Sequence, residues 1–112
     1  FVVVDTRGHR YDVMALESAL QTPARYIGLL GNRRKTLMIS QRILAQGISV
    51  DRLKEVKSPI GLDIGALTPE ELAVSIMSEI IMERRGGKGS PLQMGEWYLN
   101  RASNIVENSI NV

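Results

Sequence analysis

The sequence predicts an α/β fold in which a parallel sheet is covered by helices in three layers. Two short apolar runs, at residues 1–4 and 26–30, have the uninterrupted hydrophobic character of strands that are buried on both faces. Each run is followed by a stretch in which apolar residues recur every three or four positions, as in a helix. Strand and helix therefore alternate along the chain, and this order is typical of α/β proteins.

The composition is that of one ordinary globular domain, and it excludes several kinds of protein. The chain has 112 residues, of which 44% are hydrophobic and 23% charged, and its formal net charge is +2. One Trp, three Tyr and one Phe are too few for a platform that stacks nucleic-acid bases. The absence of cysteine excludes disulfides, thiolate metal ligands and cysteine nucleophiles. We expect no nucleic-acid partner, no membrane partner, no metal site and a cytoplasmic location.

The first predicted unit is a strand, a polar loop and a short helix. The strand is expected at residues 1–5. The loop that follows contains Gly8, which tolerates positive φ, and it ends at Asp12, whose side chain is of a type that caps helices. Apolar spacing then predicts a helix over 13–21, which Pro23 terminates.

The second predicted unit repeats this order. A buried parallel strand is expected at residues 25–30, and it runs into a glycine turn. Asn32 is a favourable N-cap and predicts a helix over 33–46, which Gly47 terminates.

The next stretch begins irregularly and ends in a long helix. Residues 49–56 have the pattern of a short helix, whereas 57–65 are rich in Gly and Pro and predict a shaped loop with at most a brief strand. Thr68 followed by Glu71 forms a capping box, which predicts a helix over 69–85. Apolar residues surround a narrow polar ridge on that helix, so we expect the helix to be mostly buried. The ridge consists of Glu71, Ser75, Glu79 and Glu83.

The sequence divides into a compact unit at residues 1–86 and a hinge with an amphipathic helical tail at 87–112. We expect the tail helix to dock on this core or on another copy. The chain also opens inside an apparent buried strand, so we expect it to be a piece of something longer. Because two or three strands leave a hydrophobic edge and face uncovered, we predict pairing with a second copy or with a missing half of the domain.

Three cations in the first turn of the helix over 33–46 are the sharpest sign of chemistry. A helix N-terminus already carries partial positive charge, so each exposed cation there costs about 0.3 to 1 kcal/mol. Such a conflict is expected where an anion binds, because a glycine turn and the free N–H groups of a helix start form a phosphate site. Alternatively, these side chains extend into solvent or pair with nearby Asp and Glu. The turn consists of Gly31, Asn32, Arg33, Arg34 and Lys35.

Two further loops carry candidate ligand contacts. His9 follows the carboxyl end of the first strand, which is where open α/β sheets bind ligands, although a lone loop histidine is more often merely solvated or hydrogen-bonded. Asp63 lies between Gly61 and Gly65 among apolar residues, so it either faces a ligand or bonds backbone N–H groups in a structural turn. Neither a GxGxxG nor a Walker motif is present.

With these motifs in hand, the chain resembles the C-terminal Rossmann-like domain of the XdhC/CoxI family, whose members are accessory proteins of xanthine dehydrogenase and related molybdenum hydroxylases. The resemblance runs from Val2 to about Arg85 and covers only the C-terminal half of that domain. Asn32 stands where the family usually has Ser, and either residue caps a helix. The motifs that carry the resemblance are Thr-Arg-Gly-His at 6–9 with Asp12, Tyr-Ile-Gly at 26–28, Gly-Asn-Arg-Arg-Lys at 31–35, Pro-Ile-Gly-Leu-Asp-Ile-Gly at 59–65 and Thr-Pro-Glu-Glu at 68–71.

The resemblance implies an accessory or maturation factor that binds the molybdenum cofactor (molybdopterin) and aids its sulfuration and insertion. Its implied partners are the molybdenum hydroxylase apoenzyme and a sulfur-donating desulfurase. Two other functions stay open: an NAD(P)-dependent Rossmann-type oxidoreductase, although no glycine-rich fingerprint is present, and a non-catalytic docking scaffold. The predicted cofactor-binding residues are Thr6, His9, Gly31, Asn32, Arg33, Arg34, Lys35, Gly61 and Asp63, with no catalytic residue assigned.

Overall fold

The computed structural model describes residues 1–110 and contains a three-stranded parallel sheet with helices packed on it. The strands lie side by side in the order in which they occur along the chain. This arrangement confirms the predicted α/β class and its parallel sheet. The elements are β1 (Val2–Val4), α1 (His9–Leu20), β2 (Ile27–Leu29), α2 (Arg33–Ala45), α3 (Val50–Leu53), β3 (Val56–Lys57), α4 (Pro69–Arg85) and α5 (Glu96–Ile110).

The main core lies between the sheet and the two helices α1 and α2. Side chains alternate between the two faces of a strand, so the first and third residues of β2 share one face. Both of them are buried in this core, and α1 and α2 pack against each other above it. The buried members are Val4, Val13, Leu16, Ala19, Leu20, Ile27, Leu29, Ile39 and Ile43.

The opposite face of the sheet is approached by α4, which supplies the third layer. Gly28, the middle residue of β2, points to this face, and a Cβ built on it would lie 2.3 Å from Cδ1 of Ile60. Tyr26 shares this face with Gly28, and its hydroxyl donates a 2.8 Å hydrogen bond to Oε1 of Glu79 on α4. The close approach of Ile60 explains why only glycine fits at the centre of β2.

The orientation of α4 differs from the expectation that this helix is mostly buried. The middle of its polar ridge faces the protein: Ser75 is 3% and Glu79 8% exposed, whereas Glu71 is exposed and Glu83 is half-buried. Its apolar residues Val74, Met77 and Ile81 are instead 58%, 53% and 50% exposed. The expectation was wrong because it counted apolar side chains without considering the loop backbone beside α4, which needs polar partners.

The start of α1 also differs from the prediction. The helix begins at His9 rather than at residue 13, and its N-cap is Gly8, whose backbone is extended and which provides no side-chain cap. Asp12 therefore lies inside the first turn and is buried, instead of capping the helix. The physical reason is that its carboxylate is already occupied, since the Thr6 hydroxyl donates to it at 2.7 Å.

The segment between α2 and α4 contains the third strand. The short helix predicted over 49–56 is limited to Val50–Leu53, and β3 takes up Val56 and Lys57. Val56 pairs with Ile27 in parallel register, so the brief strand joins the sheet beside β2.

Within the described part of the tail, α5 is a helix that does not dock on the core of this chain, and residues 111–112 of the predicted tail lie outside the described residues. Every residue of α5 is exposed, including Trp97, Leu99 and Ile105 at 64%, 54% and 60%. Docking on another copy stays a prediction. Among residues 1–110, no helix has both the length and the apolar character needed to cross a bilayer.

Candidate anion-binding site

The carboxyl ends of β1 and β2 lie side by side and deliver the starts of two helices to the same edge of the sheet. Val4, the last residue of β1, is in register with Leu29, the last residue of β2. Helix α1 begins at His9 after the first strand, and α2 begins at Arg33 after the second. Free backbone N–H groups of both helices are thus placed at the edge where parallel sheets bind ligands.

The turn between β2 and α2 is shaped by its glycine and its cap. The Asn32 side chain accepts a 2.8 Å hydrogen bond from the backbone N–H of Lys35, as predicted for an N-cap. A Cβ on Gly31 would lie 2.7 Å from Cδ of Lys35. Glycine at this position therefore leaves room for the lysine side chain to fold back, and its ammonium donates to the carbonyl oxygen of Leu30 at 2.9 Å.

The Lys35 ammonium also pairs with a buried carboxylate. Its Nζ lies 2.7 Å from Oδ2 of Asp12, whose side chain has no exposed surface. The other carboxylate oxygen, Oδ1, accepts hydrogen bonds from the backbone N–H and the hydroxyl of Thr6, at 3.2 and 2.7 Å. Burial acts to raise the pKa of Asp12, but the hydrogen bonds from Lys35 and Thr6 and the lysine charge outweigh it and hold the pKa below 3.8. Asp12 is therefore a carboxylate at neutral pH.

A cleft of about 410 Å³ opens where the two helix starts meet. We call it the anion cleft. Arg34 is exposed at its wall and makes no ion pair with any residue in 1–110. The cleft thus combines an unengaged guanidinium with the N-terminal end of α2, and both favour an anion. Its lining residues are His9, Asn32, Arg34, Lys35 and Met38.

Arg33 lines a different cleft, also of about 410 Å³, which we call the loop cleft. Its walls are the segment at residues 59–66 and the α4 residues Leu72 and Ser75. Asp63 is exposed at this cleft. The two neighbouring arginines therefore line separate clefts.

The shape of the loop at residues 59–66 is maintained by the inward ridge of α4. Glu79 accepts a 3.2 Å hydrogen bond from the backbone N–H of Gly61 through the same oxygen that accepts from Tyr26. The Ser75 hydroxyl donates to the carbonyl oxygen of Leu62 at 2.5 Å. Gly61 has φ of 104°, and a Cβ there would lie 2.4 Å from Oγ of Ser75, so this turn requires glycine.

The structure distributes the predicted site residues over three environments. His9, Asn32, Arg34 and Lys35 line the anion cleft. Arg33, Gly61 and Asp63 line the loop cleft. Thr6 lines neither cleft, because its hydrogen bonds go to Asp12 and Gly8, and Gly31 lies beneath the folded side chain of Lys35.

Sequence reasoning did not identify Asp12, Ser75 and Glu79 as residues that shape these clefts. A signal was present for Asp12, since it lies four and eight positions before Leu16 and Leu20 on the buried face of α1. A carboxylate on an apolar face needs a partner, and the nearby basic turn supplies one. Ser75 and Glu79 are likewise four positions apart on one helix face among apolar residues, which also indicated polar side chains that need partners.

Comparison with known proteins shows the family to which this fold belongs. The sequence profile of the XdhC Rossmann domain matches residues 1–80, which is more than half of the chain. The chain belongs to the XdhC Rossmann domain family. This XdhC domain contains both clefts within the matched residues, whereas α5 lies outside them.

Two relatives of the XdhC domain are longer than this chain. The chain is 30% identical over 89 residues to YqeB, an uncharacterized protein of Escherichia coli, and 36% identical over 83 residues to a protein of Bacillus subtilis described as a probable xanthine dehydrogenase subunit. These alignments cover 80% and 74% of this chain but 16% and 23% of the relatives.

A crystal structure of a xanthine dehydrogenase from Bacillus halodurans superposes with a TM-score of 0.61 at 34% identity. The superposition covers 81% of this chain and 26% of the other. The chain therefore spans about a quarter or less of the length of these relatives.

Proposed function

We propose that this domain is the cofactor-binding part of an accessory or maturation factor for a molybdenum hydroxylase of the xanthine dehydrogenase type. In this role it binds the molybdenum cofactor and aids its sulfuration and insertion. The proposal is supported by membership of the XdhC family and by relatives that carry the xanthine dehydrogenase name. The partners would be the hydroxylase apoenzyme and a sulfur-donating desulfurase.

The observation that carries the proposal is the anion cleft with Arg34. Molybdopterin bears a phosphate, and a guanidinium beside the first turn of a helix is well suited to that group. Arg34 is exposed and makes no ion pair within residues 1–110, and α1 presents a second helix start without a side-chain cap. These residues fit a phosphate, and no carboxylate within residues 1–110 forms an ion pair with Arg34.

The loop cleft offers chemistry that fits the rest of the cofactor. The pterin ring carries N–H groups at its polar edge, and the Asp63 carboxylate is a suitable acceptor for them. Arg33 lines the same cleft and supplies donors to oxygen atoms. When bound, the cofactor supplies the metal chemistry of the target hydroxylase, and the role of these residues is to bind and orient it.

Mass spectrometry of the full-length protein, purified from its host and then denatured, tests the proposal. The expected result is released molybdopterin in amounts comparable with the protein. Release of NAD(P) instead would support an oxidoreductase and contradict the proposal. Release of neither would favour a scaffold that only docks on the hydroxylase.

A further inference from the structure

Asp12 is a buried carboxylate that pairs with Lys35, a lining residue of the anion cleft, and the proposed function gives it no role. Its two oxygens bind partners from two different elements. Oδ1 accepts from the backbone and hydroxyl of Thr6 in the loop before α1, and Oδ2 pairs with Lys35 in the first turn of α2. Asp12 thus connects the loop before α1 to Lys35, which lines the cleft.

The charge of Lys35 is compensated inside this network. An ammonium group has three protons, and here it faces the Asp12 carboxylate and the carbonyl oxygen of Leu30. The side chain is 20% exposed. Arg34 is exposed and has no carboxylate within ion-pair distance in residues 1–110.

We propose that the Asp12 carboxylate neutralises Lys35 at the wall of the anion cleft, so that Arg34, and not Lys35, is the cation that meets the anion. Lys35, although it belongs to the basic turn, is a structural partner and not the phosphate ligand. The inference deepens the proposed function and rests on it only in assuming that a phosphate group enters this cleft.

Because Asp12 and Lys35 neutralise each other, replacing one of them should have a different effect on stability and on phosphate binding from replacing both. Lys35→Met alone leaves the Asp12 carboxylate buried without its cation, which destabilises the fold and places an uncompensated negative charge at the cleft. Asp12→Asn combined with Lys35→Met removes both charges together, and the asparagine oxygen still accepts from Thr6. The double variant should therefore recover what the single variant loses.

Phosphorus NMR of inorganic phosphate, titrated into the full-length protein and its variants, tests the inference. We expect Arg34→Met to weaken phosphate binding by about tenfold or more, as for the loss of one hydrogen bond to a charged group. Lys35→Met should weaken it too, because of the unpaired carboxylate. The double variant should bind within about twofold of wild type and regain the melting temperature, an outcome that loss of a ligand would not give. Arg42→Met, near the other end of α2, is the matched control.

A double variant that loses as much phosphate affinity as Arg34→Met would overturn the inference, because Lys35 would then be a ligand. Wild-type protein that binds no phosphate would overturn it as well. If Lys35→Met does not fold, the comparison of wild type, Arg34→Met and the double variant still decides. Failure of the proposed function would look different. The phosphate affinities would follow this pattern, but no molybdopterin would be released from the purified protein. That result would reject the cofactor and leave the inference about Asp12 standing.

Discussion

The hydroxyl of Tyr26, immediately before β2, donates a 2.8 Å hydrogen bond to the carboxylate of Glu79 on α4. The same oxygen accepts from the backbone N–H of Gly61 at 3.2 Å. One buried oxygen thus joins the sheet, the loop at residues 59–66 and the third layer. The loop cleft depends on this junction.

Loss of this junction should lower the free energy of unfolding. Glu79→Ala leaves the Tyr26 hydroxyl and the Gly61 N–H without their acceptor, and each unsatisfied buried donor costs about 1 to 3 kcal/mol. Urea unfolding should therefore show a much larger loss of stability for Glu79→Ala than for Glu70→Ala, which removes an exposed carboxylate from the same helix. Glu79→Gln retains an acceptor oxygen and should recover most of the loss. Equal effects of Glu79→Ala and Glu70→Ala would contradict the junction.

The same pair predicts a loss of stability at high pH. Burial, together with the hydrogen bond to Glu79 and its charge, raises the pKa of Tyr26 above its ordinary value of 10.0. The folded protein therefore holds this proton more tightly than the unfolded chain does, so the stabilisation is complete below pH 10 and declines as the pH rises above it. Between about pH 9 and pH 11, wild-type unfolding free energy should fall more than that of Tyr26→Phe. Parallel pH profiles of the two proteins would argue against the raised pKa.

Gly28 provides a test of the packing between β2 and the loop. A Cβ at this position would lie 2.3 Å from Cδ1 of Ile60, so Gly28→Ala should destabilise the fold by about 1 to 3 kcal/mol. Adding Ile60→Ala removes the obstructing atoms, and the two substitutions together should cost less than the sum of their separate effects. Additive effects in thermal unfolding would show that the close approach is absent.

The sequence predicted the parts of this fold that local rules determine. Asn32 and the capping box at Thr68 and Glu71 placed the starts of α2 and α4 at the observed residues, because a cap is a contact between near neighbours. The alternation of apolar runs and helical stretches predicted the parallel sheet.

The remaining features depend on contacts between distant parts of the chain. Asp12 looked like a cap by its type, but its carboxylate binds both Thr6 and Lys35, and Lys35 lies 23 positions later in sequence. The inward orientation of Ser75 and Glu79 follows from the loop backbone that they bind, which helical periodicity does not describe. The division of Arg33 and Arg34 between two clefts likewise required the position of the loop at residues 59–66.

The outward apolar face of α4 predicts association. Val74, Met77 and Ile81 are at least half exposed on one side of the helix, and such a patch favours contact with a second copy or with another part of the domain. In sedimentation velocity, we expect the 112-residue chain to associate with rising concentration and Met77→Lys to reduce this. Met14→Lys on α1 is a matched control, since both methionines are 53% exposed. A chain that sediments as a monomer at every concentration would contradict the prediction.

The central claim is that the anion cleft holds the cofactor phosphate. Its most direct test is to measure the affinity of the full-length protein for molybdopterin in the variants Arg34→Met and Arg42→Met. Both arginines are exposed on α2, but only Arg34 lines the cleft. We expect Arg34→Met to weaken binding by about 1.5 to 3 kcal/mol, the value of a hydrogen bond to a charged group. Its melting temperature should be unchanged or slightly raised, because a cation leaves the helix N-terminus. Arg42→Met should bind as wild type does. Wild-type affinity in Arg34→Met, together with a lower melting temperature, would show that the arginine is structural and would contradict the phosphate site.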